Sequence, residues 1–351
     1  MFRSAMTKGK GVTDGSDSRA VTADDVAAKV GVSRWTVARA FKQDSPISPR
    51  SRKRVLQAAL ELGYVPDLLA ASLASDKSNL VALLVDEFEN PHKLVMLEYL
   101  TRALRKAGYG CLLVNSLSDE DAPEALLSAS QRRVDAAVLI GMRVNETMLD
   151  LVIGARRLRK LIVFARVSTT PGALSICCDD VTAMGEIASH VIARGYRRPL
   201  FLAGPETVST RLMRKETFLS RWRQEFGSTP PVVAVAAYSP IKAYEQLTAY
   251  FKSSKATDLP DVVVCENDAL ALGAVDAVSQ ADHRHRVTRG IGVTGFDDIP
   301  AGAMPRYSLT TYRQPMEDMA AALISVLKGE AVQNIASMRG ELVVRQSTER
   351  L

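Results

Sequence analysis

The sequence predicts an α/β protein in which a small N-terminal helical headpiece precedes a two-lobed core built on parallel sheets. Three observations carry this. Residues 22–43, TADDVAAKVGVSRWTVARAFKQ, read as two short helices meeting at Gly31. From residue 80 onward, short β-rich runs alternate with helical stretches, the order that lays helices on both faces of a parallel sheet. The excess positive charge is concentrated in one short stretch near the N-terminus.

The headpiece comes first. Thr22 can cap the first helix with Asp25 in the capping-box position, and Val26, Ala27 and Val30 share one face. Gly31 suits a left-handed turn, and Ser33 can cap the second helix. Val37, Ala40 and Phe41 give that helix an apolar stripe, leaving Arg34, Trp35, Ala38 and Arg39 facing out. Two helices about a tight turn have the form of a helix-turn-helix, whose second helix enters the DNA major groove. Ser48-Pro49 opens a third helix whose apolar positions are Val55, Leu56, Ala59, Leu60 and Leu62, with Gly63 ending it. Tyr64-Val65-Pro66 is an extended link, and Asp67 can cap one more short segment, LLAASLAS, before the polar residues 76–79.

The net charge of +6 has a location. Residues 33–54 hold seven Lys/Arg against Asp44 alone, and the other 38 basic and 38 acidic residues cancel. An excess gathered in and just after the second helix is what phosphate binding requires. The four cysteines show no C-x-x-C spacing and the four histidines are scattered, so neither a metal nor a cofactor is expected. With 47% apolar residues but no run long enough to span a membrane, and no apolar segment within residues 1–20, the chain reads as cytoplasmic, with residues 1–19 a disordered tail.

In the core, β-rich runs fall at 81–85, 111–114, 136–140, 161–165, 200–203, 232–236, 262–265, 291–294 and 309–313. Helical stretches fall between them, among them 94–107, 122–133, 182–194, 243–253 and 268–280. This is more than one sheet usually takes. Two α/β lobes with a cleft between them are expected, with ligand groups beyond the carboxyl ends of the strands. Gly290, Gly292 and Gly295 spell G-x-G-x-x-G, but within a strand and without a helix to follow, which argues against a dinucleotide site. The pairs Asp179-Asp180 and Asp297-Asp298 sit on extended segments. Neighbouring side chains there point to opposite sides, so they suit ligand binding or loop capping rather than acid/base catalysis.

The runs VTADDVAAKVGVSRWTVARAF, ISPRSRKRVLQAALELGYVPD and LLAASLA resemble the headpiece and hinge of the lactose-repressor (LacI/GalR) family of bacterial transcription regulators. VALLVDEFENP, GYGCLLVNS, RVDAAVLIG, ASHVIARGYRRPLFLAGP, VVVCENDALALGAVDAV, IGVTGFDDIP and LTTYRQP continue that resemblance to about residue 347. It implies a helix-turn-helix domain at 20–64, a hinge helix and linker at 65–79, and a periplasmic-binding-protein-like core at 80–351. Lobe 1 would take about 80–180 and 310–328, and lobe 2 about 181–309 and 331–351. It further implies a homodimer, with a tetramer as the alternative, on a two-fold symmetric double-stranded DNA operator, and a small-molecule effector in the cleft. No enzymatic activity is expected. A sugar-binding receptor would share the core, but the basic headpiece argues against it.

On this reading Thr22, Ser33, Thr36, Arg50 and Lys53 join the DNA-facing set. Arg34, Trp35 and Arg39 set base preference, and the basic cluster 50–54 holds phosphates. Leu73 matches the family's wedge leucine, which enters the minor groove at the operator centre. The resemblance assigns the cleft to Asn90, His92, Lys93, Arg166, Arg214, Tyr238, Asn267, Asp297 and Gln314, with Tyr238 where an aromatic underlies a sugar ring. Three departures bear on the ligand: His92-Lys93 replaces two aromatics, Ala165 an acidic residue and Thr217 a common Gly. A missing acceptor and an added cation beside Arg166 and Arg214 point to a sugar acid or sugar phosphate. The competing expectation turns Lys93 to solvent and pairs Arg166 with Asp179, leaving a neutral sugar.

Overall fold

The computed structural model describes residues 19–42, 45–67, 77–115, 121–141, 159–206, 210–285, 290–330 and 335–350. Leu73 and the short segment after Asp67 lie outside the described residues, as does the expected tail up to residue 18. The chain divides into two units, residues 1–76 and 77–351.

The first unit holds α1 (Ala23–Val30), α2 (Arg34–Ala40) and α3 (Pro49–Leu62). The capping box forms as the spacing predicts: Thr22 N–H donates to the Asp25 carboxylate (2.8 Å), and Asp25 N–H to the Thr22 hydroxyl (3.4 Å). Gly31 adopts φ 69°, and the Ser33 hydroxyl accepts from Thr36 N–H. The small core gathers Val26, Ala27, Val37, Ala40, Val55, Ala58 and Ala59. Leu56 and Leu60, expected there, are 39% and 78% exposed instead. A turn of 3.6 residues carries the buried stripe of α3 through 55, 58, 59 and 62 and puts 56 and 60 on its flank.

In the second unit, β1 (Leu80–Val85), α4 (His92–Lys106), β2 (Gly110–Asn115), α5 (Asp121–Gln131), β3 (Ala136–Ile140), β4 (Leu161–Phe164), β5 (Val167–Ser168) and β6 (Ala173–Cys178) form most of the first lobe. The chain then crosses over into α6 (Asp180–Ala193), β7 (Pro199–Ala203), β8 (Thr210–Arg211), α7 (Arg214–Phe226), β9 (Val232–Ala234), α8 (Pro240–Ser253), β10 (Val262–Cys265), α9 (Asp268–His285), β11 (Gly292–Thr294) and β12 (Thr311–Arg313). It returns through α10 (Met316–Lys328) and β13 (Ile335–Met338), and ends in the second lobe with β14 (Glu341–Val343).

The first sheet is parallel throughout, in the order β13-β6-β4-β3-β1-β2; the second, also parallel, runs β11-β10-β7-β9. Period two along β1 explains its apolar run. Val81, Leu83 and Val85 pack with Leu100, Leu104 and Leu323 on one face, while Ala82 and Leu84 pack with Ala129 and Val134 on the other. In the second lobe Phe201, Phe218 and the fully buried Trp222 fill one face, and Leu200, Val263 and Leu270 the other.

The lobe boundaries need correction. β13 pairs with β6 in the first sheet, whereas the resemblance puts all of 331–351 in lobe 2. Gly329 closes α10 without leaving the lobe, and the last crossing falls between Met338 and Glu341. Tyr312 of β12 is buried in the second lobe's core, so the crossing expected near Leu309 falls at Gln314. The sequence hid β6 and β13 because ALSICC and IASM lack the β-branched density of a central strand. β5 and β8 form a short antiparallel ribbon between the lobes. Among the described residues no helix is long and apolar enough to cross a membrane.

Candidate functional site

Two surfaces bring the singled-out residues together, one in each unit. In the headpiece, Arg34, Trp35 and Arg39 project from α2, Trp35 with 77% of its surface exposed. Arg34 makes a long contact to Asp24, 3.9 Å between two exposed side chains. The Ser33 and Thr36 hydroxyls bond each other at 3.0 Å at the start of α2, and Arg50 and Lys53 are exposed near the start of α3. The basic cluster does not act as one, however. Arg52 donates to the carbonyls of Ala40 (2.9 Å), Lys42 (2.7 Å) and Ser45 (3.2 Å), closing the C-terminal end of α2. Arg54 donates to the Val30 carbonyl at the end of α1. These two cations satisfy helix-end carbonyls, where they also meet the negative end of the helix dipole. The cluster therefore divides into structural and outward-facing members.

The second surface is the cleft. Asn90, Lys93, Arg166, Arg214, Tyr238, Asn267, Asp297 and Gln314 line one cavity of about 40 Å³, room for a few waters. Half of them sit just past the carboxyl end of a parallel strand: Asn90 after β1, Arg166 after β4, Asn267 after β10 and Asp297 after β11, as open α/β sheets place ligand groups. Gln314 occupies the crossover between the lobes. At the cleft, Ala165 (φ 63°, turning the chain before Arg166), Asp297 (φ 122°) and its neighbour Asp298 (φ 53°) have positive φ, rare for residues with a Cβ.

Four polar side chains share one design, in which one atom is fixed by the protein. Asn90 Oδ1 accepts from His92 N–H (3.0 Å) and Asn267 Oδ1 from Leu270 N–H (3.0 Å). Gln314 Nε2 donates to Asp297 Oδ1 (2.7 Å). This leaves Asn90 Nδ2, Asn267 Nδ2, Asp297 Oδ2 and Gln314 Oε1 for a ligand; Gln314 Oε1 is buried with no hydrogen-bond partner among the described residues. His92 is fully buried behind this ring, its Nε2 3.2 Å from Gln314 Nε2 and 3.8 Å from Asp297 Oδ1. Since Gln314 Nε2 can only donate, His92 Nε2 accepts and the ring proton sits on Nδ1. Burial lowers its pKa below the usual histidine value, and the opposing Asp297 charge recovers only part of the shift.

The cations of the cleft differ from both expectations. Lys93 is buried and paired with Asp86 and with Glu87, the latter at 2.6 Å. Asp179 does not hold Arg166; it caps α6 by accepting from Thr182 N–H (3.0 Å). Arg166 instead donates to the Tyr238 hydroxyl (3.2 Å), which donates to Glu266 Oε2 (2.8 Å). Burial and the Glu266 charge raise the Tyr238 pKa, keeping the phenol neutral. The Tyr238 ring occupies space that Gly204 leaves open, where an added Cβ would lie 2.1 Å from it. Arg214 lies 3.5 Å over the Phe296 ring, donates to Asp180 (3.0 Å) and to the Glu266 carbonyl (3.0 Å), and is 3.9 Å from Asp297. Burial alone would lower its pKa, but Asp180 and Asp297 outweigh that and raise it.

The paired aspartates take separate partners, but not on the extended segments expected: Asp180 opens α6, and Asp297 and Asp298 both have positive φ. Asp179 caps a helix while Asp180 holds Arg214, and Asp297 faces the cavity while Asp298 pairs with Arg313 and Arg345, each at 2.6 Å. The glycines of G-x-G-x-x-G admit neighbours rather than a phosphate: Gly292 makes room for Tyr196 and Gly295 for Asp268. Sequence reading missed Glu266, Asp86 and Asp268. A carboxylate directly after the apolar run VVVC or LLV was the available signal for the first two. Asp268 is fully buried, accepts from Thr311 Oγ1 (2.6 Å) and Ile299 N–H (2.9 Å), and its own N–H holds the Phe296 carbonyl, so it positions the Asp297 loop. Burial, with the nearby Asp297 charge, raises its pKa well above the usual carboxylate value.

A helix-turn-helix with an exposed basic reading face, in one chain with a two-lobed polar cleft, defines a ligand-binding DNA-binding regulator. The chain belongs to the LacI family: residues 22–67 match the model for bacterial regulatory proteins of the lacI family, and residues 78–324 that for periplasmic binding proteins and the sugar binding domain of the LacI family. The sucrose operon repressor of Escherichia coli is 28% identical over 334 residues, spanning 92% of this chain and 98% of that one. The transcriptional repressor PurR of Pasteurella multocida is 26% identical over 337 residues, spanning 93% and 98%. The fold is also that of the lac repressor dimer bound to operator and the anti-inducer ONPF, with a TM-score of 0.78 at 23% identity over 94% of this chain and 99% of that one.

Proposed function

We propose that this protein represses transcription by binding a two-fold symmetric DNA operator as a homodimer, and that a small polyhydroxylated effector in the cleft controls that binding. The observation that carries the effector reading is the ring of four half-committed side chains, Asn90, Asn267, Asp297 and Gln314. Each is fixed through one atom and offers another, giving a preorganised mix of donors and acceptors that suits hydroxyl groups. The names of the sucrose operon repressor and the operator-bound lac repressor agree with it. Arg34, Trp35 and Arg39 read bases, Ser33, Thr36, Arg50 and Lys53 meet phosphates, Thr22 fixes the start of α1, and residues 65–79 form the hinge, with Leu73 as the minor-groove wedge. The work is regulation at DNA in the cytoplasm rather than catalysis.

A cavity of about 40 Å³ leaves no room for a sugar ring, so the lobes must part for the ligand to enter. The Arg166–Tyr238 bond and the β5–β8 ribbon join the lobes in the closed arrangement. An effector acts through its different affinities for the two arrangements, and the same coupling makes operator DNA change the effector's affinity. Selection of binding sites from a random duplex pool tests the first half of the reading: a two-fold symmetric sequence is expected. Recovery of DNA without sequence preference would refute it. Fluorescence anisotropy on the selected site, with and without sugars, tests the second half.

A further inference from the structure

We propose that the outward face of α2 selects thymine through its C5 methyl group, with Trp35 and Ala38 making that contact between two flanking arginines. This rests on the reading of α2 as the base-reading helix and names the base chemistry it recognises.

Val37 and Ala40 turn into the headpiece core, while Arg34, Trp35, Ala38 and Arg39 are exposed. At about 100° per residue these four follow one another around the helix in the order Arg34, Ala38, Trp35, Arg39, over an arc of roughly 140°. The middle of the face is therefore apolar, and a cation stands at each edge. Trp35 and Ala38 are neighbours on that face, three residues apart. Trp35 is 77% exposed and takes no part in the headpiece core. Among the described residues neither its indole nor the Arg39 guanidinium has a hydrogen-bond, ion-pair or ring partner. The other tryptophan of the chain, Trp222, is fully buried and packs with Phe218 and Phe226. An uncovered indole at the centre of a face edged by arginines finds its apolar contact on the anionic partner that those arginines attract.

In the major groove that partner offers one apolar group. Thymine carries its C5 methyl beside the O4 acceptor, whereas adenine, guanine and cytosine present only donors and acceptors there. The indole N–H is a donor, and the ring has no acceptor. It can meet thymine O4, but against cytosine it would leave the N4 amino group desolvated and unbonded. A purine offers N7 to the same N–H but no methyl to cover. Thymine alone satisfies both the apolar body and the polar tip of Trp35, with the Ala38 methyl beside it. Arg34 and Arg39, at the edges of the face, suit guanine in adjoining base pairs. Covering one methyl group raises affinity about fourfold.

The test uses the full-length protein on a duplex site selected from a random pool, with affinity read by fluorescence anisotropy at fixed salt. Each thymine of the half-site is replaced in turn, in both half-sites together, by deoxyuridine, which lacks only the methyl group. In the wild type, replacement at the position under Trp35 is expected to cost about fourfold per half-site, or about 16-fold for the two together. Trp35→Ala is expected to bind the thymine and uridine duplexes alike, while Trp35→Phe, which keeps an apolar ring, retains the difference. Exchanging that T·A pair for C·G should weaken wild-type binding further, and 5-methylcytosine should recover part of the loss in the wild type but none in Trp35→Ala. Unchanged amide hydrogen exchange across α1–α3 shows that the variants keep the headpiece folded, and the uridine series on the wild type needs no variant at all. A selected half-site without thymine, a site on which no uridine costs affinity, or a uridine cost that persists in Trp35→Ala overturns the proposal and leaves α2 the reading helix. Failure to select any site would instead refute the DNA-binding reading itself.

Discussion

Replacing Arg52 and Lys53 separately should give opposite signatures, although the two cations are adjacent in sequence. Arg52 bonds three carbonyls at the end of α2 and in the loop after it, at 2.7–3.2 Å, whereas Lys53 is exposed. A hydrogen bond from a charged donor contributes about 1.5–3 kcal/mol when buried; here water can reach part of the cluster, so about 2 kcal/mol for the whole set is a fair value. A headpiece of this size has roughly 2–7 kcal/mol of total stability at the usual stability per residue, so Arg52→Ala removes a large fraction of it. Its opening equilibrium should rise about 30-fold, read as faster amide hydrogen exchange across α1–α3 in the full-length protein. DNA affinity should then fall more steeply with temperature, while the dependence of log K on log salt stays unchanged. Lys53→Ala should leave exchange untouched and reduce that slope by about 0.9, as expected for one phosphate no longer neutralised. A reduced slope with normal exchange in Arg52→Ala would show that Arg52 leaves the carbonyls for a phosphate, and would refute the division of the cluster.

Three further outcomes are expected. Arg34→Ala should reorder the affinities of operator variants, by about 1–3 kcal/mol for each bidentate arginine–base pairing removed, whereas a uniform weakening across sequences would place Arg34 on the DNA backbone. Gly204→Ala puts a Cβ 2.1 Å from the Tyr238 ring, forcing that ring away from Arg166 and Glu266; calorimetry should show weakened effector binding, and retained operator affinity would separate this from misfolding. The buried His92 has a pKa below its unfolded value of 6.5, so the unfolded chain binds the extra proton and stability is lost as pH falls below about 6.5 toward the folded pKa. Denaturant unfolding between pH 5 and 8 should show that loss in the wild type and a flatter profile in His92→Gln, and parallel profiles would exclude His92 as its source.

The headpiece was legible in the sequence almost residue by residue, because its signals are local. A capping box at Thr22, a left-handed glycine at 31 and Ser33 and Ser48 as caps act within one helical turn, and each recurs in the structure. The alternation of strand and helix likewise determined two parallel sheets, since apolar runs such as LVALLV need cover on both faces. Local pattern could not place β6, a strand because β4 and β13 pair with it on either side, nor the edge strand β13, nor the last crossover, which depends on that pairing. The family resemblance, rather than local pattern, named the polar residues of the cleft, and eight of them border one cavity. Only the tertiary structure decided their partners. Lys93 meets Asp86 and Glu87, Arg52 meets carbonyls, and Arg166 reaches Glu266 through Tyr238, across 100 positions of chain. A charge on a long side chain acts over a few ångströms in whichever direction packing turns it. Its position in the sequence announces a cation, and the fold alone determines whether that cation is already neutralised.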